Sequence, residues 1–315
     1  MAATASSSTS LPLGKVLAST DKKTRDRAIK NLSEFLSENS ENEISEPEMN
    51  KLWKGVFYCF WMSDKPLVQQ ALASELAELV LTITSSIASI AFLRGFWHTL
   101  VREWSGIDQL RLDKYYMLVR RFVNASFRLL ARAKWDAGLC RDYNAILANP
   151  GGPLCPTDVK APLGLSYHLA DIYLDELNKV LESTPQGTPA PILLILDSLF
   201  SFSAQTTSKV AFKRLQTTVW EPLLRSLSSG DAEDEEEEEE RPRKRTRLEK
   251  DDELSGLYRS SCLLEPSKGR SDKQALGKGV RRKLFEIASS PGTRDSNRKK
   301  LYTLWKEEAS ESDDE

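Results

Sequence analysis

The 30-residue stretch DQLRLDKYYMLVRRFVNASFRLLARAKWDA, residues 108–137, is the longest helical pattern in the chain. It runs for about eight helical turns without a glycine or a proline. Its apolar residues recur at three- and four-residue spacing, which predicts an α-helix. They cover an arc of about 180° on a helical wheel, and an arc this wide requires neighbours on two sides. The stretch therefore predicts the inner layer of a stack of helices.

Similar helical patterns follow one another over residues 13–228, interrupted by a proline- and glycine-rich loop at 149–162 and a second break at 184–191. We find no alternating strand pattern with turn dipeptides. The sequence therefore predicts an all-α protein, an irregular HEAT-like α-solenoid of helical hairpins. A globular helical bundle stays open as the alternative, because no clean repeat of about 40–47 residues is visible.

Charge divides the chain into regions that its overall balance of 44 basic and 46 acidic residues conceals. Nine acids occupy the ten positions 231–240, and residues 241–306 then hold 19 basic and 8 acidic side chains. Such charge blocks are typical of disordered interaction tails. We expect a disordered leader at 1–12, a helical repeat-like domain at 13–228, and a long disordered acidic and basic tail at 229–315.

Several protein classes are excluded by composition. Residues 1–10 lack the pattern of a secretory signal. The longest uncharged run, 79–93, is shorter than the ~20 residues that a bilayer span needs. The four cysteines show no C-x-x-C spacing. We therefore expect a soluble protein of a reducing compartment, without membrane contact.

Four basic residues of the 108–137 helix fall on one narrow stripe. At 100° per residue they lie within about 20° of a single line, opposite the apolar arc. A stripe without acids can contact successive phosphates of a nucleic acid. A solvated helix face is the alternative. The members of this basic stripe are Lys114, Arg121, Arg128 and Arg132.

A second set of basic residues lies in the predicted tail and has the composition of nuclear-import or nucleic-acid-binding segments. A linker that only keeps the chain soluble is the alternative. The acidic block at 231–240 would shield this region from nonspecific RNA or bind basic proteins, unless it is an inert spacer. The basic residues are Arg241, Arg243, Lys244, Arg245, Arg247, Arg281, Arg282 and Lys283.

Apolar clusters interrupt the same tail. A disordered segment gains nothing from exposed large apolar side chains, so we predict that they dock on a partner protein. The equal alternative is that one of them packs back on the helical domain. The residues are Leu284, Phe285, Leu301, Tyr302, Leu304 and Trp305.

No catalytic constellation is visible. The only histidines, His98 and His168, lie in mostly apolar helical settings where structural roles are usual. Asp171, Asp175 and Glu176 lie together on a helix, but without a nearby His or Cys they do not specify a metal. We expect them on a solvated face, and we predict no enzymatic activity, metal or cofactor.

Several segments, in order, resemble the eukaryotic ribosomal RNA-processing protein 1 family. The resemblance covers about residues 13–225 and includes the pair Phe96-Trp97. Its main segments are LGKVL at 13–17, TRDRA at 24–28, LWKGVFYCFWMSDKP at 52–66, RLDKYYMLVRR at 111–121 and GLSYHLADIYLDEL at 164–177.

The resemblance implies a non-enzymatic assembly factor of the large ribosomal subunit, located in the nucleus and nucleolus. It also implies contacts with precursor ribosomal RNA, a Brix-domain factor and a WD-repeat factor, and it offers no catalytic residues. Two other functions stay open at this point. One is a generic nuclear HEAT-like adaptor, and the other is an RNA-cleaving or RNA-modifying enzyme.

Overall fold

A computed structural model describes residues 13–38, 44–184, 187–228 and 254–306. The expected leader at 1–12, the acidic block at 231–240 and the basic residues Arg241, Arg243, Lys244, Arg245 and Arg247 lie outside these ranges. The chain divides into two compact units, Met1–Arg121 and Phe122–Glu315.

The first unit contains five complete helices and the start of a sixth in its described part. A 3₁₀ turn at Trp104–Gly106 separates the fifth from the sixth. The helices are α1 (Leu13–Leu17), α2 (Lys22–Glu38), α3 (Glu46–Trp61), α4 (Pro66–Thr82), α5 (Ser86–Glu103) and α6 (Gln109–Arg132).

Alternate helices pack together in this unit. Helix α2 packs against α4, and α3 packs against α5. The Trp53 ring lies 4.5 Å from Phe92 and 5.5 Å from Phe96 between ring centroids, which fills the α3–α5 contact. At the α1–α3 contact, a Cβ on Gly55 would lie 2.5 Å from the Gly14 carbonyl oxygen, so both helices need glycine there. This alternate pairing is the packing expected of stacked helical hairpins.

The second unit is also helical in its described part. Two-residue strands, β1 (Ala190–Pro191) and β2 (Ser261–Cys262), pair in parallel. A π-helical turn at Gln216–Trp220 joins two of the helices. The helices are α7 (Ala137–Ala148), α8 (Leu163–Ser183), α9 (Ile192–Ile195), α10 (Asp197–Gln205), α11 (Lys209–Leu215), α12 (Glu221–Ser228), α13 (Ser255–Arg259), α14 (Lys273–Ser289) and α15 (Asp295–Lys306).

Helix α10 lies at the centre of this second unit. Eight of its nine residues are buried or half-buried, and only Gln205 is exposed. The helix contacts α7, α11, α14 and α15. Phe200 stacks on Trp220 with ring centroids 4.5 Å apart, and the Trp220 indole nitrogen donates to the Ser203 hydroxyl at 3.0 Å. Helix α10 is thus covered from several directions.

The predicted all-α fold class is confirmed, with a shift at the end of the longest helix. Helix α6 ends at Arg132, because Lys134 and Trp135 adopt left-handed backbone conformations with φ of 54° and 58°. Asp136 then starts α7, and its carboxylate accepts a hydrogen bond from the Leu139 amide at 2.9 Å. Among the described helices, none combines the length and hydropathy required of a bilayer-spanning segment.

The prediction of a disordered tail over 229–315 is wrong for residues 254–306. Helices α14 and α15 form a hairpin that packs on α10, and α14 also packs on α12. The high overall charge of this region concealed an apolar face on α14, where Leu276, Val280, Leu284 and Ala288 recur every four residues and are buried. The alternative, that an apolar cluster packs back on the domain, is the one the structure supports.

Three of the six predicted docking residues are therefore core residues. Leu284 and Leu301 are fully buried, and Leu304 is 3% exposed. Asn297 fixes the second helix of the hairpin to the end of α10, because its side-chain amide donates to the carbonyl oxygens of Ala204 at 3.3 Å and Thr206 at 2.8 Å. These contacts replace the expected partner protein.

We predict that Leu284→Ala lowers the free energy of unfolding by about 2–5 kcal/mol, because it leaves a cavity in the buried face of α14. Lys299→Ala, on an exposed position of α15, is the control and should change it by less than about 0.5 kcal/mol. Urea denaturation followed by circular dichroism measures both. Equal midpoints for Leu284→Ala and wild type would contradict the placement of α14 in the core.

Candidate nucleic-acid interface

Lys114 does not belong to an exposed basic stripe. Its side chain is 4% exposed, and its ammonium group donates to the carbonyl oxygens of Trp61 at 2.7 Å and Ser63 at 2.9 Å. It lies 3.8 Å from an Asp64 carboxylate oxygen. The Lys114 side chain thus supplies hydrogen-bond donors to two carbonyl oxygens at the carboxyl end of α3. Lys114 is therefore a structural residue, and its prediction as a phosphate contact is wrong.

The helical wheel misplaced Lys114 because it gives only the direction in which a side chain leaves the helix. The flexible side chain of lysine can reach a partner well outside that direction. Here the end of α3 packs beside the first turns of α6, and Tyr115 donates to the Phe57 carbonyl oxygen at 3.1 Å. The paired carbonyls at this end of α3 could not be located from the sequence.

The other three stripe residues are exposed. Arg121 lies on the part of α6 that belongs to the first unit, whereas Arg128 and Arg132 belong to the second. Arg128 and Arg132 line a pocket of about 310 Å³ within the second unit. The remaining residues of this arginine pocket are Ala131, Trp135, Val180, Ser183, Thr184, Gly187 and Thr188.

A strained turn forms one wall of the arginine pocket. A left-handed conformation in a bulky residue such as Trp135 costs on the order of 1–3 kcal/mol. The fold offsets this cost by burying the Trp135 ring, which is 2% exposed, and by a hydrogen bond from its indole nitrogen to the Thr188 carbonyl oxygen at 3.0 Å. The turn thereby connects the end of α6 to the loop after α8.

The end of α8 also lines the pocket, through Val180 and Ser183. The hydroxyls of Ser183 and Thr184 both donate to the Val180 carbonyl oxygen at 2.8 Å, so their oxygens are left as hydrogen-bond acceptors. Arg128 and Arg132 lie one helical turn apart and supply donors in a fixed fork geometry. The pocket thus combines guanidinium donors, which suit a phosphate, with hydroxyl acceptors.

Buried polar contacts hold α6 against α8 beside this pocket. Glu176 is 4% exposed and accepts hydrogen bonds from the Asn124 amide at 3.0 Å and the Lys179 ammonium at 2.7 Å. Asp171, also on α8, accepts two hydrogen bonds of 2.6 Å from the guanidinium group of Arg214 on α11. The predicted solvated acidic face is therefore wrong for Glu176 and Asp171, which connect helices.

The described basic residues of the predicted tail lie on helix α14. Arg282 is exposed and pairs with Glu286 at 3.0 Å. Lys283 lies 3.8 Å from Asp197, the acidic residue of α10. Arg281 is half-buried, and burial lowers the pKa of its guanidinium. Of the three, Arg282 is the most accessible to a nucleic acid.

The remaining predicted docking residues form a surface that the sequence did not indicate as a unit. Phe285 contacts Tyr302 and Trp305 across the hairpin, with ring centroids 5.6 and 4.9 Å apart. Phe285 is 41% exposed, and the other two rings are half-buried. The pairing depends on how α14 and α15 cross, which spacing along the chain alone does not specify.

Other titratable groups are placed structurally. Burial and the nearby Arg94 charge lower the pKa of His98. All four cysteines are buried free thiols, and burial raises the pKa of Cys59 to about 11. Within the described ranges, no group of three or more His, Cys, Asp or Glu side chains is positioned to hold a metal ion.

We expect Lys114→Met to lower the free energy of unfolding by about 1–3 kcal/mol, because it leaves the Trp61 and Ser63 carbonyl oxygens without their donor. Arg121→Met, on the same helix but exposed, should change it by less than about 0.5 kcal/mol. Chemical denaturation of both variants measures the difference. Equal unfolding free energies for Lys114→Met and Arg121→Met would contradict the structural role of Lys114 and support an exposed position.

A pH dependence follows from the same residue. Burial lowers the pKa of Lys114 from 10.5 to about 8, although the Asp64 carboxylate opposes this shift. Between these two values the unfolded chain binds more protons than the folded chain, so stability rises with pH.

The unfolding free energy of wild type, minus that of Lys114→Met, should therefore increase by up to about 3 kcal/mol between about pH 8 and pH 10.5. Urea denaturation at several pH values in this window measures it. Taking the difference removes the opposing contributions of the buried thiols and tyrosines. A difference that stays constant or falls across the window would show that Lys114 is not desolvated.

Comparison with known proteins supports the resemblance seen in the sequence. The model of the family described as "Nucleolar protein, Nop52" matches residues 8–305. Human ribosomal RNA processing protein 1 homolog A is 30% identical over 322 residues, which cover 93% of this chain and 69% of that protein. Human homolog B is 44% identical over 167 residues, covering 52% of this chain and 22% of its own length. The homolog from Dictyostelium discoideum is 28% identical, covering 83% of this chain and 51% of that protein.

The chain thus spans between 22% and 69% of the length of these relatives. The family model, by contrast, matches the chain from residue 8 to residue 305, close to its full length. Homolog A aligns over most of both proteins. The chain belongs to the Nop52 family of nucleolar proteins.

Proposed function

We propose that this chain is a non-enzymatic nucleolar scaffold that supports processing of precursor ribosomal RNA during assembly of the large ribosomal subunit. Its relatives are named ribosomal RNA processing proteins, which indicates the process. A helical fold with extended surfaces suits contacts to several molecules at once. The chain acts in this proposal by binding RNA and proteins, without catalysing a reaction.

The arginine pocket is the observation that carries the RNA contact. Arg128 and Arg132 lie on its wall one helical turn apart, and the buried Trp135 fixes the turn beside them. Two guanidinium groups at this spacing can bind the oxygens of one phosphate, or of two adjacent phosphates. Arg128 and Arg132 are thus the proposed RNA-backbone contact.

The pocket also offers a reason to prefer RNA over DNA. The 2′-hydroxyl distinguishes the two nucleic acids at a given site, since it both donates and accepts hydrogen bonds. The hydroxyl oxygens of Ser183 and Thr184 are acceptors, because their protons are directed to the Val180 carbonyl oxygen. A ribose seated beside a bound phosphate would donate its 2′-hydroxyl to one of these oxygens.

Protein contacts would use other surfaces. The loop at 149–162 presents Val159, which is fully exposed, on a segment fixed by Asp158. The Asp158 carboxylate accepts hydrogen bonds from the amides of Gly151 at 2.9 Å and Lys160 at 2.8 Å. A surface loop held in one conformation suits docking to a partner. The family resemblance suggests a Brix-domain factor and a WD-repeat factor as such partners.

The RNA contact is tested with Arg128→Glu combined with Arg132→Glu. We predict that this pair weakens binding of a single-stranded ribosomal RNA fragment by about tenfold or more, because two phosphate contacts are lost and repulsion replaces them. Each phosphate contact to a single strand contributes about 0.7 to the slope of log affinity against log salt concentration. Loss of two contacts should therefore reduce the magnitude of that slope by about 1.4. Fluorescence anisotropy measures both quantities.

Lys209→Glu combined with Lys213→Glu is the matched control. These exposed lysines also lie one turn apart, on α11 of the same unit, and the pair carries the same change in charge. The control should reduce affinity only slightly. Equal losses for the two pairs would show a general charge effect without a site at the pocket. Tighter binding to RNA than to DNA of the same sequence would support the role of the hydroxyls.

Crosslinking distinguishes the proposed function from that of a generic nuclear adaptor. Ultraviolet crosslinking of the full chain in nuclear extract should recover precursor ribosomal RNA, and Arg128→Glu with Arg132→Glu should reduce that recovery. Recovery of unrelated RNA, or of none, would favour the adaptor.

A further inference from the structure

The outer side of the α14–α15 hairpin carries three aromatic rings in contact, which we call the aromatic face: Phe285, Tyr302 and Trp305. The Phe285 ring lies between the other two, 5.6 Å from Tyr302 and 4.9 Å from Trp305. The Tyr302 hydroxyl lies 2.9 Å from the Ser289 hydroxyl, which holds that ring against α14. The three rings thus form one preorganised surface.

The aromatic face is separate from the packing that holds the hairpin in place. The neighbours of these rings in sequence, Leu284, Leu301 and Leu304, point into the core and are at most 3% exposed. Phe285, by contrast, is 41% exposed. An exposed large ring lacks the stabilisation that burial would give it, so Phe285, in contact with the half-buried Tyr302 and Trp305, indicates an interaction surface.

The charge of the hairpin identifies the kind of partner. Residues 273–306 contain ten Lys and Arg side chains against two acids, Glu286 and Asp295, for a net charge of +8. The Glu286 carboxylate is paired with Arg282 at 3.0 Å. A surface of this charge attracts a polyanion and repels basic proteins.

Basic residues flank the aromatic face at helical spacing. On α14, Lys278 and Arg282 lie about two turns and one turn before Phe285. On α15, Lys299 and Lys306 lie about one turn before and after Tyr302. All four are exposed. Flat rings bordered by cations are the combination that binds single-stranded nucleic acid, with bases on the rings and phosphates on the cations.

We propose that the aromatic face binds single-stranded RNA by stacking of its bases. This inference rests on the proposed function, because it takes RNA as the ligand, but it concerns a second surface and a different part of the nucleotide. The arginine pocket contacts phosphate and ribose, whereas the aromatic face contacts bases. Stacking tolerates any base, so the surface would hold unpaired precursor RNA without reading its sequence.

The test compares two probes with the full chain. One is an oligouridine of about twelve nucleotides, within the ~4–16 nucleotides that single-strand sites cover. The other is an abasic ribose-phosphate chain of the same length, which keeps the phosphates and lacks the bases. Fluorescence anisotropy gives the affinity for each. Wild type should bind oligouridine more tightly than the abasic chain.

Phe285→Ala combined with Trp305→Ala should lower affinity for oligouridine by on the order of 5- to 100-fold and leave affinity for the abasic chain unchanged. Phe285→Tyr combined with Trp305→Phe keeps the rings and should restore binding. Val210→Ala, at an exposed apolar position of α11 (63% exposed), is the control and should behave as wild type. Unchanged abasic binding also shows that the alanine variant is folded.

The two proposals fail in different ways. Arg128→Glu with Arg132→Glu should weaken both probes, and no effect there would overturn the pocket while leaving the aromatic face. Equal affinity of the alanine variant and wild type for oligouridine would overturn the aromatic face and assign it to a protein partner. A loss of equal size for both probes would also overturn stacking. Wild-type protein that binds neither probe overturns both proposals.

Discussion

Helix α10 is enclosed on most of its circumference, and the second unit is built around it, since only Gln205 of its nine residues is exposed. A helix that is buried on most sides is stable only when neighbours cover each of them. Helices α7 and α11 are not enough, because α14 and α15 also pack on α10. The basic hairpin is therefore held by the same constraint that organises the core. Asn297 reinforces it by pairing two carbonyl oxygens at the end of α10.

Burial of one face of the hairpin explains why its opposite face is available for binding. The buried leucines of α14 and α15 lie on the helix faces that pack against the rest of the second unit, so the residues on the opposite faces, which include the aromatic rings and exposed basic side chains, face outward. The arginine pocket arises in a similar way, because α6 buries its apolar arc and leaves Arg128 and Arg132 at the surface. In each case, packing positions the charged groups without any residue dedicated to that task.

Much of the fold could be predicted from helical periodicity, since α6 and α8 have long, regular apolar patterns. The end of α6 could not, because the left-handed Lys134 and Trp135 are stabilised by a distant carbonyl, that of Thr188. The cover that α14 and α15 give to α10 could not be predicted either, because the high charge of residues 273–306 concealed their apolar positions. Likewise, Lys114 could not be separated from its exposed neighbours, because its partners lie on another helix.

Native-state hydrogen exchange of the full chain tests whether residues 273–306 belong to the folded core. We predict that the backbone amides of α14 and α15 are protected to a similar extent as those of α10, since the three helices should open together. Exchange of α14 and α15 at the rates of an unstructured peptide, beside a protected α10, would contradict it.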